Sequence, residues 1–279
     1  MDAMRRVQVA IVDVDAVRPH EVADPARERR IERRLAADGV LRDPLVVGAI
    51  PDVEGYVLLD GTNRRQALVS LGCKRALVQV IDYADHHAIQ LRTWCHAAPG
   101  SLPELLSHAE LIPGVDVESL PPLATADALL SGDTLAVLLD RRERFALVRT
   151  RQPGSLRVSS RADQLRHLVD IYEEGLSRVD CDPDGVEERA HGLWAHTGVL
   201  VAFPPFSRSQ VVAIAVGGAL IPAGITRHVI LGGRALRVNV PLDLLSGSLD
   251  LEASDKQLRE HLSALQPRLY TEPTILYDS

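Results

Sequence analysis

The stretch LLDGTNRRQAL, residues 58–68, crowds Asp60, Gly61, Thr62, Asn63 and Arg64 into a single turn. The residues before it are apolar and those after it suit a helix, so the turn joins a strand end to a helix start. Such a turn leaves the first helical N–H groups without intrahelical partners, and the helix dipole favours an anion there. Gly61 lets a backbone approach closely, Thr62 can cap the helix, and Arg64 can fork onto phosphate oxygens. Asp60, at the carboxyl end of its strand, can orient a hydroxyl or hold Mg²⁺ indirectly. The same residues admit a plainer reading, in which Asp60 and Thr62 only cap the helix and Arg64 pairs on the surface.

Three other groups carry polar chemistry. Glu21 in RPHEV is a loop acid before a helix, beside His20. Thr226, Arg227 and His228 supply a hydroxyl, a guanidinium and an imidazole in succession. In a strand Thr226 and His228 share one face and Arg227 takes the other, whereas in a loop all three converge. Trp94 and His96 in TWCH combine a flat apolar wall with a polar neighbour, or else pack a domain boundary, and Cys95 between them turns to the opposite, buried side. Two carboxylates close together push their pKa values apart, which would suit one base and one ionised orienter, so Glu21 and Asp60 are read as a pair. Their types do not say which is the base.

These residues must be positioned by a chain of ordinary globular composition. It has 279 residues, with 46% hydrophobic and 25% charged, enough for one large or two ordinary domains with a real core. The net charge of −7 argues against a dedicated nucleic-acid binder. Three cysteines, Cys73, Cys95 and Cys181, are too few and scattered for a disulfide framework or a zinc site, and no metal-ligating cluster is read. No run reaches the roughly 18 apolar residues of a membrane span, so a soluble, cytoplasmic protein is expected.

VQVAIVDVDAV reads as a first strand, and DPARERRIERRLAADG as a helix with proline near its start and glycine past its end. Its Arg/Glu alternation marks a solvated face. DPLVVGAI and GYVLLDG form two strands, TNRRQALVSLG a helix, RALVQVIDY a strand, and AIQLRTWCHA an extended segment. Beyond Pro99–Gly100, helical segments are expected at 101–110 and 122–130, then a hairpin of TLAVLLD and RFALVRT. RADQLRHLVDIYEEGL reads as an amphipathic helix, GVLVAFPPFS as a strand, and SRSQVVAIAVGG as a helix opening at Ser207 or Ser209. PAGITRHVILGGRALRVNVPLDLL reads as two short strands about a glycine turn, before a helix near 254–265. The simplest division is 1–100 and 101–279, with a cleft between.

The first hundred residues, from the RPHE loop through ADGVLRDPLVV and YVLLDGTNRRQAL to LGCKRALVQVIDY, resemble the ParB/sulfiredoxin-like domain, whose DGxHR turn binds nucleotide phosphates. Asn63 stands here for the usual histidine and cannot carry charge or shuttle a proton, which leaves it a binding role. No GERR-like segment or helix-turn-helix region follows Asp82, as chromosome-partitioning ParB would need. Cys73 lies past the helix, unlike a sulfiredoxin cysteine. PHE, RTWCHAAPG and PAGITRHVILGGRALRVNVPLDLL extend the resemblance to the free L-serine kinases over nearly the whole chain, with 101–200 matching only loosely.

That resemblance implies an α+β fold, with a ParB/sulfiredoxin-like N-terminal lobe, a second α/β lobe and an active site in the cleft. It implies a transferase that converts free L-serine to O-phospho-L-serine with ATP or ADP and Mg²⁺; some such kinases serve siderophore or specialised-metabolite pathways. Glu21 is the matched candidate for the base, and Asp60 either assists it or positions the nucleotide and its metal. Gly61, Thr62, Asn63 and Arg64 would hold the nucleotide phosphates. Trp94, His96, Thr226, Arg227 and His228 would surround the serine. Arg234 is a weaker candidate, since GGRAL also suits a plain hairpin turn. The competing readings are a ParB-like nucleotide-binding regulator with a DNA or protein partner, and a kinase for another hydroxy-amino acid.

Overall fold

In the computed structural model the described residues are 7–51, 53–120, 128–129, 131–151, 158–180 and 198–268. Two open sheets organise them. The first has five strands: β1 (Gln8–Asp13), β2 (Val17–Arg18), β4 (Leu45–Ala49), β5 (Tyr56–Asp60) and β6 (Arg75–Asp82), in the order β1-β6-β4-β5-β2. β4 runs parallel to β6 and antiparallel to β5. Helix α1 (Pro25–Asp38) begins where Asp24 accepts from the N–H groups of Ala26 and Arg27, with Pro25 in its first turn. It ends at left-handed Gly39. A two-residue strand β3 (Val40–Leu41) follows, and α2 (Thr62–Ser70) leaves the end of β5.

Successive residues of a strand face opposite ways, and the first sheet buries both faces. Leu45, Val47 and Leu58 join Leu35 of α1 and Ala67 and Leu68 of α2 in one core. Val46, Val57 and Leu59 join a second core with Val211 and Ala215. Those two residues belong to helix α5 (Arg208–Gly217), which Ser207 starts with a capping box to Gln210.

The second sheet contains β7 (Ile89–Ala98), β8 (Val115–Leu120), β9 (Thr134–Asp140), β10 (Phe145–Thr150), β11 (Ser177–Asp180), β12 (Val199–Ala202) and β13 (Thr226–Ile230). Its order is β11-β7-β12-β9-β10-β8, with β13 also on β7. One side packs against α3 (Leu102–Ala109) and α4 (Val158–Asp170) through Leu102, Leu105, Leu165 and Leu168. β9 and β10 make the expected hairpin. The helix expected at 122–130 lies mostly outside the described residues.

Along one edge of β7 two strands lie end to end. β13 pairs Thr226 with Thr93 and Arg227 with Arg92, while β11 pairs Arg178 with His96 and Asp180 with Trp94. The loop entering β13 therefore sits at the junction of the two strands.

The second strand expected about the glycine turn does not pair with β13. Arg237 and Asn239 have left-handed φ of 55° and 57°, which breaks an extended run. The segment instead crosses to the first sheet. Gln79 donates to the Gly233 carbonyl (2.9 Å) and accepts from the Ala235 N–H (2.9 Å), and Asp43 accepts from the Arg237 N–H (2.7 Å). β14 (Val240–Pro241) then pairs with β3, and α6 (Leu251–Ser263) buries Leu258 in the first core. The chain thus returns to its first hundred residues at its end.

Candidate active site

After β2 the chain is drawn to the loop before β13. His20 and Val22 bracket Ile221 by backbone bonds, Ile221 N–H to His20 (3.0 Å) and Val22 N–H to Ile221 (2.9 Å). This aims the Glu21 carboxylate into residues 224–226. Its Oε2 accepts from the Gly224 N–H (2.9 Å). Its Oε1 accepts from the N–H groups of Ile225 (3.2 Å) and Thr226 (2.7 Å) and from the Thr226 hydroxyl (2.7 Å). Three consecutive N–H groups converge because Gly224 takes a φ of +76°, forming an anion-binding nest.

The Thr226 hydroxyl also lies 2.7 Å from His20 Nε2, and His20 Nδ1 donates to the Leu58 carbonyl (2.8 Å). Burial lowers the His20 pKa, although Glu21 and the Leu58 carbonyl pull it the other way. The neutral ring then offers a lone pair at Nε2, so the single Thr226 hydroxyl hydrogen goes to Glu21 or to His20, one at a time. His228, on the same strand face as Thr226, stands edge-on to His20 with ring centroids 5.4 Å apart. Its Nε2 is 3.0 Å from the Tyr83 hydroxyl. Burial and the neighbouring His20, with Arg208 adding, bring its pKa down to about 3 against the pull of the Leu59 carbonyl and Asp60.

Leu58 and Leu59 lead directly to Asp60. Gly61 has φ 104°, and a Cβ there would come within 2.8 Å of Leu45 Cδ2, so the turn requires glycine. Asp60 Oδ2 receives two guanidinium groups, Arg64 at 3.0 Å and Arg234 at 2.7 Å. Burial pushes the Asp60 carboxyl up, but Arg64 and Arg234 outweigh it and hold it below the usual carboxylate range. Gly61, rather than Thr62, occupies the cap position of α2, and no side chain caps the helix. The expected Thr62 cap is absent because Thr62 is already the first helical residue. Among the described residues no three His, Cys, Asp or Glu side chains form a metal cage.

No family model matches the chain. Among curated proteins, the ATP-dependent L-serine kinase SbnI of Staphylococcus aureus is 27% identical over 277 residues, covering 96% of each chain. The ADP-dependent L-serine kinase SerK of Thermococcus kodakarensis is 23% identical over 81% of this chain and 88% of its own. The chain is thus similar to L-serine kinases over most of its length. The solved structure of C-terminally truncated SbnI covers 91% of this chain and 95% of its own, at 24% identity and a TM-score of 0.69, so the folds agree.

The residues singled out from sequence fall into three settings. Glu21, Thr226 and His228 meet on one side of β13, and His20 and His228 connect them to the turn at Asp60–Arg64. Arg227 takes the opposite face. It lies 4.4 Å from the centre of the Trp94 ring and pairs with Asp180. His96 is fully buried; it lies behind the nest, donating from Nε2 to the Gly224 carbonyl (2.9 Å), with Nδ1 3.2 Å from the Tyr172 hydroxyl. Burial brings its pKa down to about 4, with the Gly224 carbonyl opposing and Arg178 adding to the shift.

Two further sets of contacts concern the turn. Arg64 Nη1 donates to the carbonyls of Asp43 (3.2 Å) and Pro44 (3.1 Å), so much of its fork is spent on the protein itself. Asn63 Oδ1 accepts from the Asp24 N–H (2.8 Å), tying the turn to the start of α1. Arg234, the weaker candidate, reaches Asp60: the GGR run signals only a hairpin, and the return of the chain brings this arginine there.

Proposed function

We propose that this protein phosphorylates the hydroxyl of free L-serine, giving O-phospho-L-serine with ATP or ADP as donor. The observation that carries this reading is Glu21, held by four donors from residues 224–226 and linked through Thr226, His20 and Leu58 to the strand that ends at Asp60. A candidate base and a candidate phosphate seat are thereby parts of one rigid assembly.

Phosphoryl transfer needs an in-line nucleophile, charge neutralisation and a destination for the proton. Glu21 would take the serine hydroxyl proton as the oxygen attacks phosphorus and the bond to the leaving nucleotide breaks. Its Oε2 accepts one hydrogen bond and keeps capacity for that proton. The uncapped N–H groups at the start of α2 would receive nucleotide phosphates. Arg234 would move part of its charge from Asp60 to them. Mg²⁺ would arrive with the nucleotide, held mainly by phosphate oxygens and water, with Asp60 the nearest carboxylate of the turn.

Thr226 and His228 would line the acceptor side. Trp94 and Arg227 would form a wall on the opposite face of β13, and His96 would brace the nest from behind. We assign the nucleotide-binding lobe to residues 1–100, resembling the ParB/sulfiredoxin-like domain and completed by the C-terminal return. Residues 101–279 would supply the rest of the amino-acid site across the cleft. A cytoplasmic location fits substrates of this kind.

The test is direct. The protein is incubated with Mg²⁺, ATP or ADP, and a panel of free serine, threonine and homoserine, and products are read by mass. O-phosphoserine as the main product is expected; absence of any phosphorylated amino acid with either nucleotide overturns the reading.

A further inference from the structure

Arg178 lies on β11 opposite His96, and its side chain crosses to the loop that grips Glu21. The guanidinium rests on the Cα of Gly224, in space that the Cβ of any other residue would need. Among the described residues it makes one hydrogen bond: Nη2 donates to the Ala223 carbonyl at a long 3.3 Å. Nε is buried and has no acceptor. Among the described residues no carboxylate lies within ion-pair distance. The charges around it are Arg27, which repels it, and Glu21 and Asp24, which attract it at longer range.

A guanidinium stays charged in a protein, and leaving one of its donors, Nε, buried and unsatisfied is costly. Among the described residues no oxyanion answers this charge. The position of the guanidinium says which one would. Glu21 meets Gly224 at the N–H and Arg178 meets the same residue at Cα. A small ligand whose hydroxyl reaches Glu21 would therefore carry its next polar group past Arg178. In a 2-amino-3-hydroxy acid that group is the α-carboxylate, and a planar fork matches a carboxylate with two parallel bonds. The donor phosphates have their own seat at the start of α2.

We infer that Arg178 is the receptor for the α-carboxylate of the amino-acid acceptor and restricts the enzyme to free amino acids. This rests on the amino-acid kinase reading above. It predicts that an acceptor lacking the carboxylate is used poorly, and that the loss comes from Arg178.

The experiment compares L-serine with L-serinamide, whose carboxylate is replaced by a neutral amide, in the wild type, Arg178→Gln and Arg178→Lys. A charged hydrogen-bond pair is worth about a 10- to 100-fold change. Wild-type kcat/KM should fall by about that factor from serine to serinamide. Arg178→Gln should lower serine turnover by a similar factor, through KM more than kcat, and leave serinamide turnover within about threefold of wild type. Arg178→Lys should keep an intermediate serine-to-serinamide ratio. Serinamide turnover serves as the internal check of folding.

A wild-type ratio near one overturns the inference, whatever the variants do. So does an Arg178→Gln or Arg178→Lys protein that keeps the full wild-type ratio. A variant whose only change is a raised KM for the nucleotide would assign the guanidinium to phosphate instead, and also overturns it. Failure of the wild type to phosphorylate any hydroxy-amino acid is a separate result, which removes the kinase reading itself.

Discussion

Replacing Glu21 by glutamine separates the structural work of this side chain from its proposed chemistry. Glutamine keeps the shape but has one acceptor oxygen and one NH₂ group. With its oxygen in the Oε1 position, the bonds from Ile225, Thr226 and the Thr226 hydroxyl survive as neutral ones. The NH₂ group then faces the Gly224 N–H, donor against donor, where Oε2 had accepted at 2.9 Å. Losing one charge-assisted bond and leaving that N–H unpaired costs about 2 kcal/mol. For a chain of this size that lowers Tm by roughly 4–8 °C. The catalytic effect should be larger, because general-base catalysis contributes about 10²- to 10⁴-fold.

The assay measures Tm and the initial rate of O-phosphoserine formation on the same preparations. Glu21→Gln should remain folded at 25 °C and lose at least a hundredfold in kcat with little change in KM for the nucleotide. A variant within tenfold of wild-type kcat would refute Glu21 as the base, even if its Tm fell as expected.

Three other outcomes follow from the same geometry. Thr226→Val removes the hydroxyl between Glu21 and His20 and should lower kcat by roughly 10- to 100-fold, while Thr226→Ser, which keeps it, should stay within about threefold; equal losses in both variants would show that the methyl group matters instead. Gly61→Ala puts a Cβ against Leu45 at a φ of +104° and should cost about 1–3 kcal/mol and raise the nucleotide KM, an expectation that an unchanged denaturation midpoint would contradict. Stability should also fall with acid. His96 and His228 have folded pKa values brought down to about 4 and about 3, so below pH 6.5 the unfolded chain binds protons that the folded chain refuses. Each site then costs about 1.4 kcal/mol per pH unit, roughly 3 kcal/mol per unit for the pair between about pH 6 and 4.5, with His20 adding in the same direction. Urea denaturation at pH 7, 6 and 5 measures this, and a flat profile would mean that these histidines are not buried neutral.

Punctuation and periodicity made much of the fold readable. Asp24, Pro25 and Gly39 mark α1, Ser207 starts α5, and apolar runs mark β4 to β6, because caps and alternation are local properties of the backbone. The turn at Asp60 was legible for the same reason: Gly61 and its neighbours act within four residues. Resemblance in residue order then pointed to Glu21 and Thr226–His228. Local reasoning failed where a residue has two local options of similar energy. Thr62 could cap or begin α2, and GGRAL could turn back on β13 or cross to the first sheet.

The sequence by itself determined most of the elements, the helix-opening turn at Asp60–Arg64 and the resemblance to free L-serine kinases. Only the tertiary structure decided what the polar groups do. Glu21 meets Thr226 across 205 residues, Asp60 meets Arg234 across 174, and Gly224 has Glu21 at its N–H and Arg178 over its Cα. The physical reason is that a hydrogen bond or ion pair depends on distances of about 3 Å, and no spacing along the chain encodes such a distance between remote segments. It is set by which faces of the two sheets are buried and by where the C-terminal segment returns, so the neighbours of Arg178, Arg234 and His96 appear only once the chain has folded.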